Sequence, residues 1–160
     1  NIGNEWANKI ATTTWKVGGN TYANIRTVVP SVAYQNEIVN PVTTNTTDNA
    51  TEYTAKIGLM YVSDYGFGAD PRAWATTLYN YDGIVYARLI RSLNWLYMGL
   101  TEWTISRTAG NSGDVFYVDR AGSVGYSVNS YYAVRPSFYF ESFVTYISGS
   151  GTQSDPIRIN

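Results

Sequence analysis

From Thr101 onward the chain is cut into short apolar runs, "TEWTIS", "DVFYVD", "GSVGYSV", "YAVRPSFYF" and "FVTYIS", with Gly, Ser and Asn between most of them. Runs of this length, rich in Val, Tyr, Phe and Thr and bounded by turn formers, predict antiparallel strands rather than helices. The fourth run carries Arg135 and Pro136 at its centre. Proline cannot donate to a sheet ladder, and an arginine taken out of water needs partners. The pattern therefore predicts a strand that is interrupted at those two residues.

Ahead of Thr101 the pattern is mixed. Residues 4–10, "NEWANKI", place Trp6 and Ile10 one helical turn apart and predict a short helix. "TTTWKVGGNTY" reads as a β-hairpin turning at Gly18, Gly19 and Asn20. A helix is expected over 31–39 after Pro30, a polar loop over 40–54, and a buried strand over 56–66. Asp70 and Pro71 look like a helix N-cap and first helical residue, with Trp74 and Leu78 on one face. The order is a hairpin, helices and then an antiparallel sheet, which is α+β in one domain, residues 1–160.

Composition narrows the chemistry. The chain has no cysteine and no histidine, which excludes thiol nucleophiles, imidazole bases and serine–histidine triads. A net charge of -1 without a Lys/Arg cluster argues against nucleic acid as partner. No run is apolar enough for a membrane span, so no membrane contact is expected of this segment. Because "NIGNEW" lacks an initiator methionine, the chain reads as a processed or trimmed piece. Two matches to the N-glycosylation pattern, at Asn45 and Asn49, fall in the Thr/Asn-rich stretch where such matches arise easily. Fifteen tyrosines, five tryptophans and few charges suit an extracellular, β-rich binding protein.

The segments "EWTISR", "DVFYVDRAGSVGYSV" and "YYAVRPSFY" resemble the carboxy-terminal part of C-type-lectin-like domains. They are most similar to the bacterial and phage versions: relatives of the formylglycine-generating enzyme and variable proteins of diversity-generating retroelements. Ala133-Val134-Arg135-Pro136 stands where those relatives have Gly-Val-Arg-Pro. Over nearly its full length the chain also resembles pilin-associated or surface modules of gut Firmicutes, through "TWKVGG", "AYQNEIV", "YTAKIGLMYVSDYG", "NWLYMGLTEWTISR" and "GSGTQSDPIRI".

These resemblances imply a C-type-lectin-like fold, display on a cell surface, filament or phage particle, and binding of a protein or glycan on another cell. They imply that Arg135 and Trp103 are structural. The cysteines on which formylglycine generation depends are absent. So are the Glu-Pro-Asn, Gln-Pro-Asp and Trp-Asn-Asp motifs of calcium-dependent sugar binding, so no metal or cofactor is expected.

Two stretches, 80–94 and 104–140, contain no Lys, Glu, Gln, Met or Trp. Adenine-specific mutagenesis of asparagine codons cannot produce those residues, so the resemblance raises the expectation of sequence-diversified loops. The candidate ligand-binding residues are Tyr81, Asp82, Tyr86, Arg88 and Arg91 in the first stretch. In the second they are Asn111, Asp114, Tyr117, Arg120, Tyr126, Asn129 and Tyr131. Strand alternation allows only some of these to face outward. The stretch 80–94 equally reads as a helix with Ile84, Leu89 and Leu93 inward.

Two other functions stand beside binding. A glycoside-hydrolysing carboxylate pair drawn from Asp64, Asp70, Glu102, Asp114 and Asp119 has no spacing to select it, and the expectation is that the chain is not an enzyme. A structural role, as the head of a pilin-like subunit that self-assembles into a filament, is the alternative.

Overall fold

A computed structural model describes residues 3–21, 27–41, 51–81, 83, 90–111, 113–127 and 129–160. It is a mixed α+β arrangement of short helices and antiparallel sheets. Helix α1 (Gly3–Lys9) leads into strand β1 (Thr13–Lys16). Helix α2 (Pro30–Tyr34) has Pro30 where a proline is pre-set for the first turn, and it runs on into one π-helical turn, Gln35–Val39. Strands β2 (Glu52–Ala55) and β3 (Gly58–Leu59) precede helix α3 (Val62–Phe67). Two single 3-10 turns follow, at Pro71–Ala73 and Leu78–Asn80, and residues 90–93 are helical.

The second half supplies the main sheet, β4 (Glu102–Arg107), β5 (Val115–Val118) and β6 (Val124–Ser127), antiparallel in the order β4-β5-β6. Its inner face carries Thr104, Phe116, Val118 and Val124, all buried. Phe116, Val118 and Val124 meet Val28, Ala33, Val62, Tyr65 and Leu78 from the helical half in one core. Strand β7 (Pro136–Ser137) pairs with β3, and β8 (Tyr146–Ser148) pairs with β9 (Arg158–Ile159).

Several local expectations are corrected. β1 pairs with β2, Trp15 opposite Tyr53, rather than folding back at Gly18. The reason lies in the glycines, which are used for close approach. A Cβ on Gly19 would sit 1.6 Å from the Arg107 carbonyl oxygen, and one on Gly18 would sit 2.5 Å from Pro41 Cβ. The polar loop over 40–54 holds β2 at its end, while residues 42–50 lie outside the described residues. The strand expected over 56–66 shrinks to β3, because Asp64 Oδ2 accepts the Tyr61 N–H at 3.0 Å and starts α3 there. The helix expected after Asp70 breaks into two turns: Leu78 donates its N–H to Val28 O at 2.8 Å instead of continuing a helix. Trp74 and Leu78 therefore diverge, one 39 % exposed and the other buried.

The interrupted run resolves into a change of neighbours. Ala133 lies beside β4, where Trp103 N–H donates to its carbonyl at 3.0 Å. Pro136 then opens β7 opposite Leu59, the first-residue position in which a proline costs a sheet least. Further on, Tyr139 O accepts the Ala11 N–H at 2.9 Å. Between the first two partners Arg135 turns inward. Its Nη2 donates to Glu102 Oε1 at 2.7 Å and to Leu96 O at 2.8 Å, and touches Met60 Sδ at 3.1 Å.

Candidate ligand-binding face

Alternation along the main sheet sorts its side chains into two faces. Glu102, Thr104 and Ser106 of β4 are buried, while Trp103, Ile105 and Arg107 are half-buried on the outer face. Register sets Trp103, Tyr117 and Gly125 in one row across the three strands. Gly125 has a definite use: a Cβ there would lie 2.7 Å from Tyr117 Cζ and Oη. Its absence lets the tyrosine ring lie across the sheet.

Tyr132 completes an aromatic cluster. Its ring centroid is 4.8 Å from that of Trp103 and 4.8 Å from that of Tyr117, and Trp103 meets Tyr117 edge-on at 6.2 Å. Next to it Tyr131 is fully exposed. Burial and the neighbouring tyrosine push the Tyr117 hydroxyl pKa up, so it stays a neutral donor at physiological pH. Beside the cluster lies a shallow depression of about 430 Å³ lined by Leu59, Trp103, Ile105, Gly113, Val115 and Ser127. Leu59, Ile105 and Val115 give it apolar surface and Trp103 an aromatic ring, while Thr104 also lines it and Ser127 brings a hydroxyl shared with Ser130 at 2.8 Å. That combination of stiff aromatic area and small polar groups suits non-covalent recognition.

At the far end of β4, Arg107 donates from Nη1 to Thr108 O at 3.3 Å, while its buried Nε and Nη2 have no partner. Burial pulls its pKa down. The same guanidinium edge on Arg72 grips the Asp70 carboxylate through Nε at 2.8 Å and Nη2 at 3.0 Å.

Among known family models, curated proteins and solved structures, none matches this chain.

Of the candidate binding residues, Tyr117 lies in the aromatic cluster and Tyr131 beside it. Two are corrected. Tyr81 is a core residue with no exposed surface, and its hydroxyl faces Gly66 O and Ala73 O at 3.4 Å. Asp114 is buried and accepts from Asn111 Nδ2 at 2.8 Å, closing the turn that enters β5. Asn111 is exposed but committed to that turn, its Oδ1 also accepting the Gly113 N–H at 3.0 Å. Tyr126 packs edge-on against Phe116 and borders the core.

Arg91 is exposed, with Nε donating to Ala121 O at 3.2 Å. Arg120 and Asn129 are exposed, and the Arg120 backbone bonds Thr101 Oγ1 and the Tyr97 hydroxyl. Asp82, Tyr86 and Arg88 lie outside the described residues, as do Ile84 and Leu89 of the alternative helix. Leu93, expected inward in that helix, is 48 % exposed.

Tyr132 and Ile105 belong to the face and were not among the sequence candidates. A signal existed for Ile105, which alternates with the buried Thr104 and Ser106 and stands in line with Trp103; Tyr132 lies outside any strand between two exposed residues, and alternation gave no sign of it.

The five carboxylates named above as a possible catalytic pair are each held by structural bonds. Asp64 accepts from Tyr61, Asp70 from Arg72, and Asp119 Oδ1 from Ala121 N and Ser123 N at 2.8 and 2.9 Å. Glu102 is paired with Arg135 and Asp114 with Asn111. Among the described residues no three His, Cys, Asp or Glu side chains gather as a metal site. No described helix is long and apolar enough to cross a membrane.

One buried acid went unremarked in the sequence. Glu37, in the π-helical turn, is fully buried: Oε2 accepts the Ser63 N–H at 2.9 Å and Oε1 accepts the Ser106 hydroxyl. Burial pushes its pKa up to about 7, against the opposing pull of those hydrogen bonds.

Proposed function

We propose that this chain is a non-catalytic binding module. It would be displayed outside the cell as an adhesin or receptor-binding protein, and would bind a protein or glycan through the outer face of β4, β5 and β6. One observation carries the reading: Trp103, Tyr117 and Tyr132 form a half-buried aromatic cluster on a sheet face beside an apolar depression, flanked by the fully exposed Tyr131. Such residues dominate binding energy where they can be desolvated at the centre of an interface.

A C-type-lectin-like fold is part of the proposal. What supports it is the order of elements, with short helices first and an antiparallel sheet last, closed by a return segment pinned through Arg135. Diversification of exposed positions such as Tyr131, Arg120 and Asn129 is the further part that the family resemblance suggests. The reading assigns no metal, no cofactor and no reaction to the site.

The test is a printed array of cell-surface glycans and proteins probed with the wild-type chain, Tyr117→Ala and Tyr131→Ala. A ligand retained by the wild type and weakened at least about tenfold by Tyr117→Ala is expected. Equal retention by all three proteins would place binding elsewhere.

A further inference from the structure

A second cavity, of about 350 Å³, is lined by five aromatic rings, Trp15, Tyr34, Tyr61, Phe138 and Tyr139, and by one carboxylate, Asp64. That volume is within the range of small-ligand sites. The rings have local reasons for their places. Trp15 lies against Gly58 of β3, where a Cβ would sit 2.7 Å from Trp15 Cδ2, and its Nε1 donates to Ala55 O at 3.1 Å. Tyr139 follows β7, which pairs with β3, and its carbonyl accepts the Ala11 N–H. The Trp15 and Tyr139 centroids are 5.4 Å apart. Trp15 and Tyr61 are buried, whereas Tyr34, Phe138 and Tyr139 remain exposed.

Asp64 is the charged group of this cavity. Its Oδ2 accepts the Tyr61 N–H that starts α3, and Oδ1 has no hydrogen-bond partner among the described residues. None of the ion pairs among the described residues includes it. Lys16, next to Trp15 in the chain, is paired with Glu52, and Lys56 donates to Ala7 O and Ile10 O at 2.7 and 2.8 Å. Arg135 is paired with Glu102. Burial pushes the Asp64 carboxyl pKa up, the mark of a charge that has lost water without gaining a cation. Glu37, raised chiefly by its own burial, is raised further by the Asp64 charge, so the potential here is negative. Asp64 and Ser137 also border a neighbouring depression lined by Phe67 and Trp95, which brings more aromatic surface to the carboxylate.

From this we infer that the cavity takes an alkylammonium group, the chemistry of a lysine side chain or of a quaternary amine. Ring faces carry the negative part of the aromatic quadrupole and attract a cation with apolar substituents, most strongly where water is excluded. The unengaged Asp64 oxygen supplies the opposite charge. A neutral ligand would leave that charge unanswered, and an anion would be repelled by it. The site uses no residue of the Trp103 cluster and shares only Leu59 with the depression beside it. Its failure would therefore leave the ligand-binding face untouched.

Proton–nitrogen correlation NMR tests it, following the Trp15 indole N–H, a signal assigned by its loss in Trp15→Phe. The probes are tetramethylammonium, butylammonium and the neutral tert-butanol, with sodium chloride at equal ionic strength as the blank. A cation is expected to move the Trp15 signal with a roughly millimolar dissociation constant, and the tighter of the two identifies the head group as quaternary or primary. Asp64→Asn keeps an oxygen for the Tyr61 N–H, so the far-ultraviolet circular dichroism should be unchanged while the cation binds at least about fivefold more weakly. Tyr139→Leu should weaken it as well. A Trp15 signal unmoved by both cations would overturn the inference. So would tert-butanol binding as tightly as the cations, or full affinity in Asp64→Asn. If Asp64→Asn loses the native spectrum, Tyr139→Leu decides, and full affinity there overturns the inference equally.

Discussion

Arg135 and Glu102 form the ion pair that fixes the return segment against the main sheet, Nη2 to Oε1 at 2.7 Å. Glu102 has a side chain only 3 % exposed, and Arg135 is its cationic partner. Burial still holds the Glu102 pKa above its ordinary value, with Arg135 pulling the other way. The pair lies directly beneath the ligand face, since Glu102 is the neighbour of Trp103 on β4 and Ala133 the neighbour of Tyr132.

Replacing Arg135 by Met should therefore cost about 2–4 kcal/mol, somewhat below the figure for a wholly buried pair because Arg135 is partly exposed. Urea unfolding measures it. The double variant Arg135→Met with Glu102→Gln should recover at least about 1 kcal/mol of the loss, because no bare carboxylate remains. A fully stable Arg135→Met protein would show that the arginine is decoration.

Glu37 makes stability depend on pH. Burial raises its pKa in the folded chain to about 7, above the 4.5 of an ordinary glutamate. A raised acid prefers its protonated form in the fold, so its contribution is complete below about pH 4.5 and is lost as pH rises through about 7. Each pH unit of that gap is worth about 1.4 kcal/mol, giving on the order of 3 kcal/mol. Glu37→Gln should match the wild type near pH 4 and exceed it in melting temperature near about pH 8. Parallel curves for the two proteins across that range would contradict the assignment.

Gly125 is the space that Tyr117 occupies. Gly125→Ala should push the tyrosine ring away from Trp103 and Tyr132, at a cost of about 1–2 kcal/mol for the overpacked contact. Near-ultraviolet circular dichroism should change while the far-ultraviolet spectrum does not. An unchanged aromatic signal would mean that the cluster does not depend on this glycine.

Sequencing the gene across one growing population tests diversification. Substitutions are expected at adenines in codons for exposed residues such as Arg120, Asn129 and Tyr131, with Phe116, Val118 and Ser106 unchanged because they are buried. A uniform gene would remove diversification while leaving the binding face to be tested by itself.

How much of this was legible in the sequence depends on the range of the interaction. The three strands of the main sheet could be read from alternation, and both leading helices from spacing and Pro30, because those signals are local. Gly18 and Gly19 misled because a glycine pair used for a turn looks the same as one used for close approach to Pro41 and Arg107. The segment before Gly66 misled because one side-chain cap, Asp64 to Tyr61, outweighs a run of strand-favouring residues. Tyr81 and Asp114 were expected to bind ligand because they lie in the two stretches without Lys, Glu, Gln, Met or Trp, and composition does not tell a displayed residue from a packed one. Tertiary packing put one in the core and the other in a turn. Glu37 left no local mark at all, since its partners Ser63 and Ser106 are distant in sequence.

The most direct test of the binding face is site-specific photocrosslinking with the ligand found on the array. A photoreactive phenylalanine at position 131, beside the cluster, is compared with one at position 53 on β2, whose tyrosine is 67 % exposed. The account predicts an adduct from position 131 and none from position 53. An adduct from position 53 alone, or equal yields from both, would contradict it.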